Sequence, residues 1–236
     1  MPTNHASGAT HPRRAVAGVS LDIWGTLLGS DPDFKAARNR LLRDALLPSV
    51  GAEQFDQVMR QADRDVDDEC ARTGADVGFV GRIVACLTRF GMPQSVALDA
   101  VSVACDDLMC QQEALALMHP PRPLHTELPA AVLELQVPVV LTSNTGMLPG
   151  ALMRKLLALA GFGGVTGVFS DEVGVAKPAP AIFGETLAVL GLPPPDVLHV
   201  GDNPVADVAG AREAGLQTAL VIPDGLSTLA VLRELS

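Results

Sequence analysis

The stretch "VSLDIWGTLL" (residues 19–28) decides how the chain is read: an apolar run ends in Asp22 and a polar, glycine-containing turn follows at once. A strand that stops on a carboxylate at a sharp turn carries it beyond the sheet edge, a recurrent mounting for a nucleophile. Two residues on, where a second acid would be expected, stands Trp24, followed by Gly25 and Thr26.

Beyond this strand come about 95 residues with almost no strand character, far more than a loop would use, so they are expected to form a structured insertion. "DPDFKAARNRLLRDALL" offers Asp31 as N-cap and Pro32 at the first helical position, then Phe34, Ala37, Leu41, Leu42 and Ala45 at helical spacing. "AEQFDQVMRQADRDVDDECA" continues in helical style, "DVGFVGRIVACLTRFG" stops at Gly91, and "PQSVALDAVSVACDDLMCQQEALAL" starts at Pro93. The spacing predicts a small bundle of antiparallel helices. The Pro-rich "MHPPRPLHTELP" (118–129) closes it.

After that boundary short apolar strands alternate with helices: "VPVVLTSN", "VTGVFS", "DVLHVGDN" and "QTALVIP" are separated by "LPGALMRKLLALAG", "APAIFGETLAVLG" and "VADVAGAREAG", with "TELPAAVLELQ" leading in. This is the pattern of a parallel sheet covered on both faces. The fold class is α/β, a doubly wound parallel sheet interrupted after its first strand by an α-helical cap. The expected division is a disordered leader at 1–15, a core at 16–28 and 125–236, and a cap at 29–124.

Composition narrows the function. The 236 residues have a net charge of −10 and a sequence pI ≈ 4.8, unlike a surface that tracks a phosphate backbone. A mean hydropathy of +0.28 comes from short apolar runs, none of the roughly 18–20 residues needed to span a bilayer. Cys70, Cys86, Cys105 and Cys110 show no zinc spacing and are expected to be reduced, buried thiols of a cytoplasmic protein. A small anionic substrate, with no nucleic acid and no membrane, is the expected partner; the oligomeric state is left open.

In such sheets the crevice lies beyond the carboxyl ends of the strands. Those positions hold Asp22 and Thr26, Ser143 and Asn144, and Asp202, Asn203 and Asp207, with Lys177 in the loop "DEVGVAKPAP". The set resembles the haloacid dehalogenase-like hydrolase superfamily. Its motifs are matched in order by "LDIWGT", by "VVLTSN" with Ser143 better aligned than Thr142, by Lys177, and by "GDNPVAD" with Asp202 and Asp207. The insertion after the first motif looks like that superfamily's first cap class.

The resemblance implies Asp22 as nucleophile and Lys177 as the charge that neutralises it. Thr26, Ser143, Asn144 and Lys177 would contact substrate or its phosphoryl group. Mg²⁺ would be held by Asp22, Asp202 and the backbone carbonyl of Trp24, with Asp207 in its outer shell.

Trp24 replaces the acid that protonates the leaving group in superfamily phosphatases, and an indole N–H cannot do that work. Three readings follow. The first is a Mg²⁺-dependent phosphatase whose leaving group departs without help or takes its proton elsewhere. The second is a metal-independent 2-haloacid dehalogenase, in which an aromatic residue at this position is usual and Asp202 and Asp207 would be superfluous. The third is a non-catalytic protein that binds a ligand or partner. The intact "GDNPVAD" puts the phosphatase first.

His199 is expected at the core edge, His119 and His125 in solvent, and "DRDVDDE" (63–69) on a solvated helix face. Lys35, Arg38, Arg43, Arg64 and Arg72 are candidate anion contacts, each expected at the surface.

Overall fold

The computed structural model describes residues 15–236, so the expected leader lies outside it except for its last residue. Strand β1 (Gly18–Leu21) is buried at every position, as a central strand covered on both faces must be. It is followed by the short β2 (Leu28–Gly29), four helices, and β3 (Arg122–Pro123). Then come α5 (Leu128–Leu133), β4 (Val139–Ser143), α6 (Gly150–Leu159), β5 (Thr166–Phe169), α7 (Ser170–Val173), α8 (Pro180–Leu190), β6 (Val197–Gly201), α9 (Gly210–Glu213), β7 (Gln217–Leu220) and α10 (Leu226–Arg233).

The main sheet runs β5-β4-β1-β6-β7, with every pair parallel. Alternation along the strands divides the side chains between two layers. Val19, Leu21, Leu141 and Val200 pack with residues of α5, α6 and α10, while Val140, Val168 and Val197 pack with Ile182 and Phe183 of α8 and Ala211 of α9. Each fully buried Leu or Phe adds roughly 1.5–3 kcal/mol. The α/β expectation therefore holds, with differences in detail. α5 is shorter than "TELPAAVLELQ", and α7 and α10 had no counterpart in the sequence reading.

The insertion consists of α1 (Pro32–Leu46), α2 (Ala52–Thr73), α3 (Phe79–Arg89) and α4 (Gln94–Met118). It is rooted in a two-stranded antiparallel ribbon in which Leu28 faces Pro123 and Gly29 faces Arg122. Asp31 caps α1 as expected, its side chain accepting from the Asp33 N–H at 2.9 Å. The inward face of α1 differs from the expectation: Ala45 is exposed, whereas Arg38 and Asn39 join Phe34 and Leu42 in burial.

The bundle has its own apolar cluster around Leu42, Phe55, Met59, Ile83, Leu87 and Val101, and Met147 from the β4–α6 loop is part of it. The fully buried Gln112 of α4 donates from Nε2 to the Met147 carbonyl at 2.9 Å. A residue of the core loop is thus plugged into the helical insertion. Among the described residues no helix is long and apolar enough to cross a membrane.

Met147→Ala should lower stability by about 2–5 kcal/mol in urea unfolding, as for a cavity-forming core truncation. Met147→Leu, which keeps the volume, should cost less than about 1.5 kcal/mol.

Candidate active site

The strand ends converge as the topology requires. Asp22 follows β1, Ser143 ends β4, Asp202 follows β6, and Lys177 approaches from the loop between α7 and α8. With Trp24, Asn144 and Asp207 they line one cavity of about 890 Å³ between sheet and insertion. Thr26 is not part of that lining. It is fully buried because the turn after β1 points this side chain inward; its hydroxyl has no hydrogen-bond partner among the described residues, and its carbonyl accepts from the Thr228 hydroxyl at 3.0 Å.

Lys177 is 3% exposed, far from a surface lysine. Its Nζ donates to Asp22 Oδ1 at 2.5 Å and to Asp207 Oδ1 at 2.6 Å. Burial disfavours the ammonium, but the two carboxylates outweigh it and hold the Lys177 pKa above its ordinary value. Asn144, expected at the substrate, has both ends of its amide engaged by the Lys177 backbone. Its Oδ1 accepts from the Lys177 N–H at 2.8 Å and its Nδ2 donates to the Lys177 carbonyl at 3.0 Å.

Asp207 is also committed. Oδ2 accepts from the Asn203 N–H at 2.9 Å, and Oδ1 takes the Lys177 ammonium and lies 3.2 Å from His199 Nε2. Burial alone would raise its pKa, yet Lys177 and His199 hold it well below the carboxylate range. Asp22 behaves in the opposite sense: burial pushes it up to about 6 against the pull of Lys177, with Asp207 adding to the rise. Burial and then Asp207 also raise Asp202. Three carboxylates thus have oxygens within 4.8 Å of one another, and the one ammonium pairs with two of them, Asp22 and Asp207. This crowded, all-oxygen donor set has the chemistry that suits a hard divalent cation.

The backbone is shaped for the crowding. Gly25 has φ +76°, and a Cβ there would sit 2.5 Å from Asp202 Oδ2. A Cβ at Gly201 would lie 2.2 Å from the Asp207 carboxyl carbon. The expected helix "VADVAGAREAG" begins instead as a wide π-helical turn, Pro204–Ala209, capped by Asn203, whose Oδ1 accepts from the N–H groups of Val205 and Ala206. The Val208 N–H reaches back five residues to the Asn203 carbonyl, a widening that goes with Asp207 pointing at Lys177.

Some participants escaped the sequence reading. His199 is fully buried rather than at the core edge, with Nδ1 at 2.8 Å from Ser20 Oγ. The Ser20 hydroxyl meets Thr142, which meets Thr186. Burial pushes the His199 pKa down against the pull of Asp207, which favours the neutral ring, and the carboxylate neighbour then assigns its proton to Nε2. Alternation could have found this row, since Ser20, Thr142 and His199 share one face of adjacent strands.

In the insertion, Arg38 and Arg82 are each 6% exposed and line the cavity. Arg82 pairs with Asp67 at 2.7 Å, so the acidic run is not wholly a solvated face. Lys35, Arg64 and Arg72 are exposed as expected, and Arg43 pairs with Asp44. His119 is half-buried and lines the cavity, its Nδ1 3.7 Å from Asp31 Oδ1. Among the cysteines, Cys110 is exposed and Cys105 half-buried, against the expectation of burial.

A family model for haloacid dehalogenase-like hydrolases matches residues 16–215. The chain belongs to that family. A phosphoserine phosphatase of Thermus thermophilus is 44% identical over 54 residues, 23% of this chain and 22% of the relative. A glyceraldehyde 3-phosphate phosphatase of Methanopyrus kandleri is 43% identical over 54 residues, again 23% of each protein. These matches span less than a quarter of either relative. A 2-haloacid dehalogenase structure from Pseudomonas syringae pv. Tomato superposes with a TM-score of 0.58 at 19% identity, covering 93% of this chain and 98% of that one. This haloacid dehalogenase-like hydrolase therefore shares its fold with a dehalogenase and a short segment of sequence with phosphatases.

Gly201→Ala should destabilise this hydrolase by about 1–3 kcal/mol, because the added methyl must displace the Asp207 carboxyl that Lys177 and Asn203 hold in place. A thermal melt equal to that of the wild type would contradict the close approach.

Proposed function

We propose that the chain is a phosphatase acting on a small phosphorylated, anionic metabolite, with Asp22 as nucleophile and Mg²⁺ as cofactor. The observation that carries this reading is the cluster of Asp22, Asp202 and Asp207, of which Lys177 pairs with only Asp22 and Asp207. Clustered buried carboxylates repel one another, and a dehalogenase that attacks carbon without metal has no use for the excess charge. The donor set fits Mg²⁺: Asp22 and Asp202 would hold it, with the Trp24 carbonyl, while Asp207, its oxygens already engaged by Lys177, Asn203 and His199, supports from outside. When bound, the ion offsets the repulsion between the attacking carboxylate and the phosphate dianion.

Asp22 attacks phosphorus, the P–O bond to the leaving alkoxide breaks, and water then hydrolyses the aspartyl phosphate to free phosphate and carboxylate. Lys177 stabilises the charge that spreads over the phosphoryl oxygens in the transition state. Ser143 and the loop after it hold those oxygens, and Asn144 fixes Lys177 through its backbone. The helical insertion at 29–124 serves as the cap over the core of 16–28 and 125–236, excluding water and selecting the substrate. The reaction and its substrate belong to the cytoplasm in this reading.

Trp24 favours a second reading. The residue two positions after the nucleophile carries no carboxyl, as suits halide, which departs without a proton. In that case Trp24 and Phe34, both lining the cavity, form the wall of a dry pocket for a carbon electrophile.

A turnover screen of phosphate monoesters and 2-haloacids, each with Mg²⁺ and with chelator, separates the two. Chelator-sensitive phosphate release supports the first reading, and chelator-resistant halide release replaces it with the second. Asp22→Asn should abolish turnover in a folded protein, the amide being nearly isosteric but not nucleophilic. Lys177→Ala should lower kcat by at least about 10²-fold.

Trp24→Asp tests the missing acid. It should raise turnover of alkyl phosphates selectively, by up to about 10²–10⁴-fold, and leave activated aryl phosphates little changed. A folded variant with no selective gain on alkyl esters would remove the lost-acid account.

A further inference from the structure

Arg38 is a buried cation with no hydrogen-bonded counter-ion among the described residues. Its Nε and Nη2 both donate to Asn39 Oδ1, at 3.2 and 2.9 Å, and Asn39 is itself anchored through Nδ2 to Asp56 of α2 at 2.8 Å. A neutral acceptor thus uses one edge of the guanidinium and fixes its plane. The nearest carboxylate, Asp63, stands 4.0 Å away, and its Oδ1 accepts no hydrogen bond among the described residues although it is buried. Arg82 adds a second guanidinium 3.7 Å from that same Asp63 oxygen, while its own hydrogen bonds go to Asp67 and the Val77 carbonyl. Burial and the like charge of Arg82 both work against the Arg38 cation.

Other cations line this cavity, but Lys35, Arg60 and Arg64 are exposed, so water screens them. Arg38 is different: it is desolvated, held in one orientation, and faces the cavity with donors to spare, since a guanidinium has five. The pair also adjoins the core loop that follows Ser143. A Cβ on Gly146 would lie 3.4 Å from the Arg82 Cζ and Nε atoms. Gly146 is three residues beyond Ser143, a chain reach of about 10 Å at most.

We propose that Arg38, oriented by Asn39 and flanked by Arg82, receives a second anionic group of the substrate, a carboxylate or a second phosphate at the far end of a short phosphate ester. This rests on the phosphatase reading for the first anionic group. Planar, paired guanidinium donors suit either kind of oxyanion, and such a ligand supplies at hydrogen-bond distance the negative charge that Arg38 receives from Asp63 only at 4.0 Å. A cavity of about 890 Å³ has room for both ends, in the size range usual for small-molecule sites.

Calorimetric titration in Mg²⁺ buffer with three unreactive probes tests the proposal: propylphosphonate, 3-phosphonopropionate and propane-1,3-bisphosphonate. The wild type should bind one of the two tailed anions at least about tenfold more tightly than propylphosphonate, and the better one identifies the second group. In Arg38→Met, shown folded by circular dichroism, that preference should shrink to within about threefold. Equal affinity for all three in the wild type overturns the proposal while leaving the phosphatase reading intact, and needs no variant. A preference that survives in folded Arg38→Met overturns it as well. Succinate provides the remaining arm. If it binds in an Arg38-dependent way while no phosphonate binds, the anion-reading role stands and the phosphatase reading falls. If none of the four binds, both fall.

Discussion

Everything around the crevice is arranged to keep the Lys177 ammonium between Asp22 and Asp207. A buried ammonium persists only where closely placed carboxylates offset its desolvation, and leaving either side unpaired costs about 3–5 kcal/mol. The requirement spreads outward. Lys177 is held at both ends of its peptide unit by Asn144. Asp207 reaches it because the chain widens into a π-helical turn capped by Asn203 and because Gly201 has no side chain beneath it. Asp202 fits beside Asp22 only because Gly25 yields the space. Residues that look unrelated along the chain serve one ion pair.

The arrangement also explains how one site can be close to two chemistries. A nucleophilic carboxylate, a neutralising lysine and a desolvated pocket serve attack on carbon or on phosphorus equally. Asp202 and Asp207 lean toward phosphorus, since they concentrate negative charge that only a cation can use. Trp24 leans the other way by removing the proton donor. The family, and not the reaction, follows from the match over residues 16–215.

The sheet and the polar rim at its strand ends were legible because each strand is a short apolar run that ends on a polar residue. A parallel sheet then gathers those ends without further instruction, which is why the convergence of Asp22, Ser143, Lys177, Asp202 and Asp207 on one cavity could be read in advance. What escaped depended on direction. Thr26 points under the turn, and Asn144, although it lines the cavity, spends its side-chain amide on the Lys177 backbone. The spacing of "VADVAGAREAG" suits an ordinary helix, and the widening at Asp207 comes from partners distant in sequence. Arg38 was readable in principle. It stands four residues after Phe34 and four before Leu42, on the apolar stripe of α1, and Arg82 likewise lies among Phe79, Ile83 and Cys86. The expectation nevertheless put Arg38 at the surface and Ala45 inward, because what that face meets across the cavity depends on the whole topology.

Met147 gives the molecule a mechanical property that its static geometry only implies. Its backbone belongs to the loop that begins at Ser143, while its side chain is embedded among the helices of the insertion and its carbonyl is tied to Gln112. A rigid swing of those helices about the ribbon at Leu28–Gly29 and Arg122–Pro123 must either drag the loop along or pull the thioether out of its socket. Entry to the cavity and the shape of the loop after Ser143 are therefore geared together: the doorway cannot move freely while the floor stays still.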